Sequence, residues 1–150
     1  MQFSIKTADI QDVPHIAPLF DAYRIFYGQN SDLTAAADYL KDRLEREESK
    51  IFWAYDSAGN GLGFVQLYPS FSSVSMQRLW ILNDLFVAQK ARRQGLGEAL
   101  MNRAKTMAVQ TKAKGLQLET GANNLTAQSL YEKLGYVKND EYFVYYLSTI

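Results

Sequence analysis

The sequence predicts a single α/β domain, a mixed sheet of about six to seven strands flanked by about four helices in the order βααβββαβαβ. Three observations predict it. The chain has 150 residues, a length that supports one core burying roughly two thirds of the unfolded surface. Its middle third is a run of strand-like segments separated by turn residues. Its C-terminal half alternates helical periodicity with strand-like alternation, the pattern of crossover units. No internal repeat, low-complexity tract or linker interrupts residues 1–150, which are read as one domain.

Gln2-Phe3-Ser4-Ile5-Lys6 alternates polar and apolar and predicts a short strand. Asp12-Val13-Pro14 is a helix start, with Asp12 as cap and Pro14 in the first turn. Ile16, Leu19, Phe20, Tyr23 and Tyr27 follow at helical spacing, and Gly28 ends the run. Ser31-Asp32 caps a second helix through about Glu48, with Leu33, Ala37, Leu40 and Leu44 on one stripe. Ile51–Tyr55 and Leu62–Tyr68 read as a hairpin around the Asp56–Gly61 turn. Pro69-Ser70-Phe71-Ser72-Ser73 breaks the chain, and Val74–Val87 forms the third member of the meander. A helix over about Gly95–Lys112 turns Leu96, Leu100, Ala104, Met107 and Ala108 inward and stops at Gly115. Leu116–Thr120 alternates as a strand, Leu125–Leu134 is helical up to Gly135, and Glu141–Leu147 closes the sheet.

Composition narrows the function. With no cysteine, structural disulfides, thiolate metal sites and a cysteine nucleophile are excluded, which fits a reducing compartment such as the cytoplasm. No apolar run approaches the roughly 18–20 residues that cross a bilayer, and Asp9, Asp12, Pro14 and Pro18 spoil a signal-peptide pattern. Acidic and basic groups balance at 16 each. They are unevenly placed, because residues 88–115 hold seven basic side chains against Glu98 alone. Such a run is either a solvated helix face or a local positive field.

What surrounds the run decides between these. The strand Leu82-Asn83-Asp84-Leu85-Phe86-Val87 leads into Arg92-Arg93-Gln94-Gly95-Leu96-Gly97-Glu98 and directly into an amphipathic helix. The first N–H groups of a helix lack internal partners, and its dipole favours negative charge there. Glycines at 95 and 97 let an anion approach the main chain. Arg92 and Arg93 add charge-assisted donors. Residues 92–98 therefore predict a phosphate or pyrophosphate site. It is not a P-loop, since G-x-x-x-x-G-K-[ST] is absent. It is not a dinucleotide fingerprint either, since Leu100 stands where the third glycine belongs.

Arg92-x-x-Gly95-x-Gly97 resembles the Q/R-x-x-G-x-G/A signature of the GNAT superfamily of N-acetyltransferases. Asn124-x-x-Ala127-x-x-x-Tyr131-x-x-x-Gly135-Tyr136 resembles that family's second block, and the order of elements matches its fold over essentially the whole chain. Within the superfamily the stretch looks like the branch acting on polyamines and other small or protein-borne amines.

The resemblance implies acetyl-CoA as co-substrate, without a metal. Main-chain groups at Leu85, Phe86 and Val87 would hold the pantetheine, and Arg92, Arg93, Gln94, Gly95, Leu96, Gly97 and Glu98 would wrap the pyrophosphate. Asn124 would bond the pantetheine arm, and Tyr131 would sit near the thioester sulfur as the acid for the departing thiolate. On periodicity alone Tyr131 reads as core; the matched block assigns it a function. Asn83 stands where relatives carry the glutamate proposed as general base, and an amide cannot take that proton. The candidates become Asp84 and Glu119, on strands expected to border the cleft; Asp84 reads equally as the cap of a bulge or turn, and Glu119 as a solvated strand end.

Tyr23, Arg24, Tyr27 and Asn83 are acceptor-side candidates, with the Ser70–Ser73 turn as a possible border. His15 reads as a helix-start surface residue. The expected activity is direct transfer of acetyl to a primary amine: a polyamine, an amino-acid derivative, an aminoglycoside-like drug or a protein amine. The alternative is a catalytically silent acyl-CoA-binding module. Nucleic acid and membrane are not expected partners, and a homodimer is, by resemblance to the branch.

Overall fold

The computed structural model describes residues 2–150. Five strands form one sheet in the order β1-β2-β3-β4-β5: β1 (Ser4–Thr7), β2 (Lys50–Tyr55), β3 (Gly61–Ser72), β4 (Gln77–Val87) and β5 (Leu116–Gln117). The helices among the described residues are α1 (Val13–Phe26), α2 (Leu33–Glu45), α3 (Leu96–Gln110) and α4 (Leu125–Lys133), with two short 3-10 turns. β1 to β4 pair antiparallel, and β5 joins β4 in parallel. Two compact units are distinguished, one ending at Glu119 and one spanning Thr120–Ile150.

In the first unit both faces of the sheet are covered. Ile16, Leu19 and Phe20 of α1 and Leu40 of α2 pack on Ile51, Trp53 and Phe64. The alternate strand positions point the other way, where α3 packs on β2, β3 and β4, and there the Arg103 guanidinium lies 4.7 Å from the Phe52 ring centre. The period of two along β2 thus serves two different cores. Leu96, Leu100, Met101, Ala104, Met107 and Ala108 form the buried stripe of α3.

Helix starts follow the expected chemistry, with one exchange of roles. Asp32 caps α2 by accepting from the Ala35 N–H at 3.0 Å. Asp12 does not cap α1 through its side chain; its carboxylate accepts from the Asp9 N–H at 2.9 Å and the Lys6 ammonium at 3.0 Å. His15 is exposed at the start of α1 and stacks on Trp53 at 5.4 Å.

Three expectations are corrected. Pro69–Ser72 does not break the chain: β3 runs through it, with Pro69 opposite Trp80, and the turn falls at residues 73–76 instead. β2 pairs with β3 only as far as Leu67, so at Pro69 the strand has a neighbour on one side, the setting where a missing N–H is tolerated. The expected Leu116–Thr120 strand shortens to Leu116–Gln117. Residues 141–147 form no strand, so the sheet has five strands rather than six or seven. Aromatic and β-branched residues favour a strand only where a ladder partner exists, and among the described residues none pairs with this segment; Tyr142–Leu147 carry exposed side chains.

The second unit holds α4, whose N-cap Asn124 accepts from the Ala127 N–H at 3.2 Å. Gly135, at φ +94°, closes it, and the Tyr136 N–H returns to the Tyr131 carbonyl at 3.0 Å.

Gly63 sets how closely β3 approaches the end of β4. A Cβ there would stand 2.7 Å from the Phe86 carbonyl oxygen and 2.9 Å from Leu96 Cδ2. Gly63→Ala is expected to destabilise by about 1–3 kcal/mol through overpacking. Thermal unfolding should show a Tm several degrees lower.

Candidate active site

The end of β4 builds an exposed anion cradle. Past Val87 the Ala88 N–H bonds the Leu62 carbonyl at 2.8 Å, and a 3-10 turn over Gln89–Ala91 follows. Arg92 is extended, Arg93 takes the left-handed conformation at φ +63°, and Gly95 repeats it at φ +78° as the N-cap of α3. A non-glycine residue in that region costs about 1–2 kcal/mol. Gly95 has no side chain to cap with, and Ala99 is the residue whose N–H first returns to it, at 3.0 Å. The N–H groups of Leu96 and Gly97 therefore lie in a first turn without a side-chain cap. Buried Leu96 anchors that turn, while Arg92, Arg93, Gln94 and Gly95 are exposed beside it. Arg92 Nε donates to the Val87 carbonyl at 3.0 Å, and its guanidinium lies 5.8 Å from the Phe86 ring centre. The geometry suits a phosphate group.

Upstream, β4 parts from its parallel neighbour. β5 pairs with it only at Trp80–Leu116 and Ile81–Gln117. From Leu82 to Val87, β4 keeps only β3 as a strand partner. This is the stretch where Leu85, Phe86 and Val87 were expected to offer main-chain groups.

A register shift lies within it. Gln66 pairs with Asp84 but Leu67 pairs with Leu82, so Asn83 is the extra residue of a bulge. Asn83 is exposed and Asp84 is only 5% exposed. Gln66 Nε2 donates to Asp84 Oδ2 at 2.8 Å, and Asn83 Nδ2 donates to Oδ1 at 3.1 Å. Asp84 is thus buried beside a bulge and bonded to the bulged residue. Burial pushes its carboxyl above the usual range, although bonds from Gln66, Tyr23 and Asn83 oppose the rise.

Tyrosines surround this carboxylate on the α1–α2 face. The Tyr23 hydroxyl makes a long 3.5 Å contact to the Asn83 carbonyl, and burial followed by the nearby Asp84 pushes its phenol far up. Tyr27 packs edge-on to Tyr23 at 5.0 Å. Tyr39 and Tyr68 share a 2.7 Å hydroxyl–hydroxyl bond. Burial, then that bond, raises Tyr68 as well. Both raised phenols stay protonated at neutral pH.

The first unit therefore brings Tyr23, Tyr27, Asn83 and Asp84 together. Arg24 is turned away, its Nη1 donating to the Asn30 carbonyl at 3.4 Å. Glu119 lies past the end of β5, exposed and outside any strand, because the parallel ladder stops at Gln117. Asn124 and Tyr131 belong to the second unit, where Tyr131 is half-buried on α4 and its ring lies 6.0 Å from that of Tyr136. Burial, with Tyr131 beside it, pushes the Tyr136 phenol up to about 12.

Gln66, Tyr39 and Tyr68 were not foreseen. A signal existed for two of them: Phe64, Gln66 and Tyr68 share one face at the period of two, and Gln66 is the polar interruption in Leu62–Leu67. Among the described residues no group of three or more His, Cys, Asp or Glu is placed to hold a metal ion, and no helix is long and apolar enough to cross a membrane.

Residues 16–136 match the Acetyltransferase (GNAT) family. The chain is 51% identical to an uncharacterized N-acetyltransferase of Bacillus subtilis, YhfO, over 95% of both chains. It is 33% identical to a probable acetyltransferase of Haemophilus influenzae over 94% of both. The crystal structure of a probable acetyltransferase superposes with a TM-score of 0.92 at 41% identity, covering 98% of each chain.

The buried carboxylate has a stability consequence whose sign follows from its raised pKa. Its folded-state pKa lies above the unfolded one, so the favourable contribution is complete below the unfolded value of about 3.9. That contribution is lost as pH rises through the folded value. Asp84→Asn removes the cost of ionising a buried group, so its Tm should exceed that of the parent at pH 7–8. The advantage should vanish toward pH 4. Melting curves of both proteins across that range check it.

Proposed function

The chain belongs to the GNAT acetyltransferase family and is an acyltransferase, and on that premise we propose that it transfers acetyl directly from acetyl-CoA to a primary amine, with Asp84 taking the amine's proton. The observation that carries this reading is a buried carboxylate beside the one strand edge that its parallel neighbour abandons. Acetyl-CoA supplies an activated acetyl thioester. The first turn of α3 at Leu96–Glu98, with Arg92 and Arg93, binds its pyrophosphate. The open edge at Leu85–Val87 holds the pantetheine arm by main-chain bonds.

A lysine-like amine has an ordinary pKa near 10.4, so making it neutral at pH 7 costs about 4–5 kcal/mol. The ionised Asp84 offsets part of this cost because its raised pKa narrows the gap to the amine whose proton it takes, while its desolvated charge draws the ammonium into place. The groups that bond to it are neutral amides and a phenol, so its charge is not already spent on an ion pair. Tyr23, Tyr27 and Asn83 form the acceptor side. Asp84 takes one proton from the ammonium, the neutral nitrogen forms the new C–N bond as the C–S bond breaks, and the second proton that the nitrogen loses on becoming an amide replaces the one the thiolate takes up. For the departing thiolate we assign Tyr131 as proton donor, and Asn124 as a pantetheine contact, on the resemblance of their sequence block alone. Glu119 is the weaker base candidate, since it is exposed and lies outside β5.

Release of free CoA thiol is the assay, run with a polyamine, a lysyl peptide, a free amino-acid amide and an aminoglycoside. With the best of these at saturation, kcat should rise through an acid limb above the ordinary carboxylate range of about 4, because the ionised Asp84 is the active form. Asp84→Asn should lower kcat by about 10²–10⁴ while leaving acetyl-CoA binding intact. A wild-type rate in that variant removes Asp84 from the mechanism. Gly97→Leu should weaken acetyl-CoA at least tenfold by calorimetry, since a side chain there crowds the main chain from the pyrophosphate. Unchanged affinity would place the phosphates elsewhere.

A further inference from the structure

We propose that Gln66 is a positioning residue for the reaction: its amide N–H holds the Asp84 carboxylate in the orientation from which it takes the amine's proton. The inference rests on the reading of Asp84 as the proton acceptor and adds the residue that makes Asp84 competent.

Gln66 is a costly choice for its place. It is fully buried, between Val65 and Leu67 in a strand whose other members there are apolar. A buried glutamine gives up side-chain freedom and loses its amide hydration. Its Oε1 is buried and has no hydrogen-bond partner among the described residues. An apolar residue of the same shape would fill the site without that penalty. The half of the amide that is satisfied is the half that reaches Asp84, at 2.8 Å.

The backbone makes this contact specific. Gln66 and Asp84 are direct cross-strand partners, the last pair before the register shifts at Asn83, so their side chains share one face at the closest approach that a sheet offers. Asn83 holds the other oxygen, Oδ1, from an exposed bulge. Gln66 holds Oδ2 from the packed core and is the fixed member of the two. The remaining groups that face Asp84 are the Tyr23 phenol from α1 and the Tyr68 phenol from β3. Behind Tyr68 lie Tyr39 and the Arg43 guanidinium of α2. The Gln66 bond to Oδ2, at 2.8 Å, is shorter than the Asn83 bond to Oδ1, at 3.1 Å. The hydrogen bond favours the ionised carboxylate against the burial that opposes it.

The test uses the full-length enzyme with Gln66→Met, which keeps length and apolar bulk without the N–H, and Gln66→Glu, which keeps the shape. Two readouts are followed. One is the titration of the Asp84 carboxyl by ¹³C NMR on aspartate-labelled protein, assigned by its absence in Asp84→Asn. The other is the pH profile of kcat with the best amine of the panel. In Gln66→Met the Asp84 titration should move up by about one pH unit or more, the worth of one hydrogen bond to a charged group. The acid limb of kcat should move with it. Turnover below the limb then falls about tenfold and recovers above it, while the KM for acetyl-CoA stays unchanged. In Gln66→Glu the two carboxyls should titrate as a coupled pair, with the limb displaced further in the same direction.

An unmoved Asp84 titration in a folded variant, or an equal loss of turnover at every pH, overturns the proposal and leaves Gln66 a packing residue. If Gln66→Met does not fold, Gln66→Leu, which also lacks the N–H and adds no charge, decides by the same criterion. The underlying reading fails separately: it falls if Asp84→Asn turns over normally, whatever the NMR titration of the Gln66 variants shows.

Discussion

β4 has a partner along its whole length on one side and for only two residues on the other. That asymmetry organises the first unit. Main-chain N–H and C=O groups are obligatory hydrogen-bonding groups, so an edge released by its neighbour in mid-sheet must find other partners. Part of the demand is met inside the chain, since the Val87 carbonyl takes the Arg92 Nε and the Asn83 carbonyl receives a long contact from Tyr23. The rest is available to a ligand. The bulge at Asn83, the cradle at the start of α3 and the buried Asp84 all lie on or immediately after this released segment.

The segment is also where the fold gives up stability. Asp84 and Gln66 are polar groups in a core otherwise built from Phe64, Val65, Leu67 and Leu82. Arg93 is held in a left-handed conformation where glycine would be cheaper. Asp84 and Arg93 lie in the strand–loop–helix passage and Gln66 faces it across the sheet, while the α3 stripe is apolar. Strain and buried charge that cluster in this way are sustained by the packing around them. Here the surrounding packing is the aromatic set of Phe20, Tyr23, Phe64 and Phe86.

Much of the fold was legible in the chain. Periodicity located α1 to α4 and β1 to β4 to within a few residues, because amphipathic helices and half-buried strands impose different spacings on the same apolar residues. It overread the strands at the C-terminal end. Leu116–Thr120 and Glu141–Leu147 have the composition of strands, but a strand is a relation between two segments, and composition describes one. It also misplaced the β3–β4 turn, since Pro69 looks like a breaker until the missing second neighbour of β3 is known.

The sequence by itself determined the basic, glycine-containing loop that opens α3: Arg92, Arg93, Gly95 and Gly97 lie within six residues, and a local helix start needs no distant partner to be recognised. It also identified the family, through blocks that are contiguous in the chain. Only the tertiary structure decided which carboxylate is buried. Asp84 and Glu119 were equivalent as letters on two expected strands, and the register between β3 and β4 separated them by placing Gln66 against one while β5 ended before the other. Burial and hydrogen-bond partnership are set by residues far apart in the chain, and so they become visible when the chain is folded.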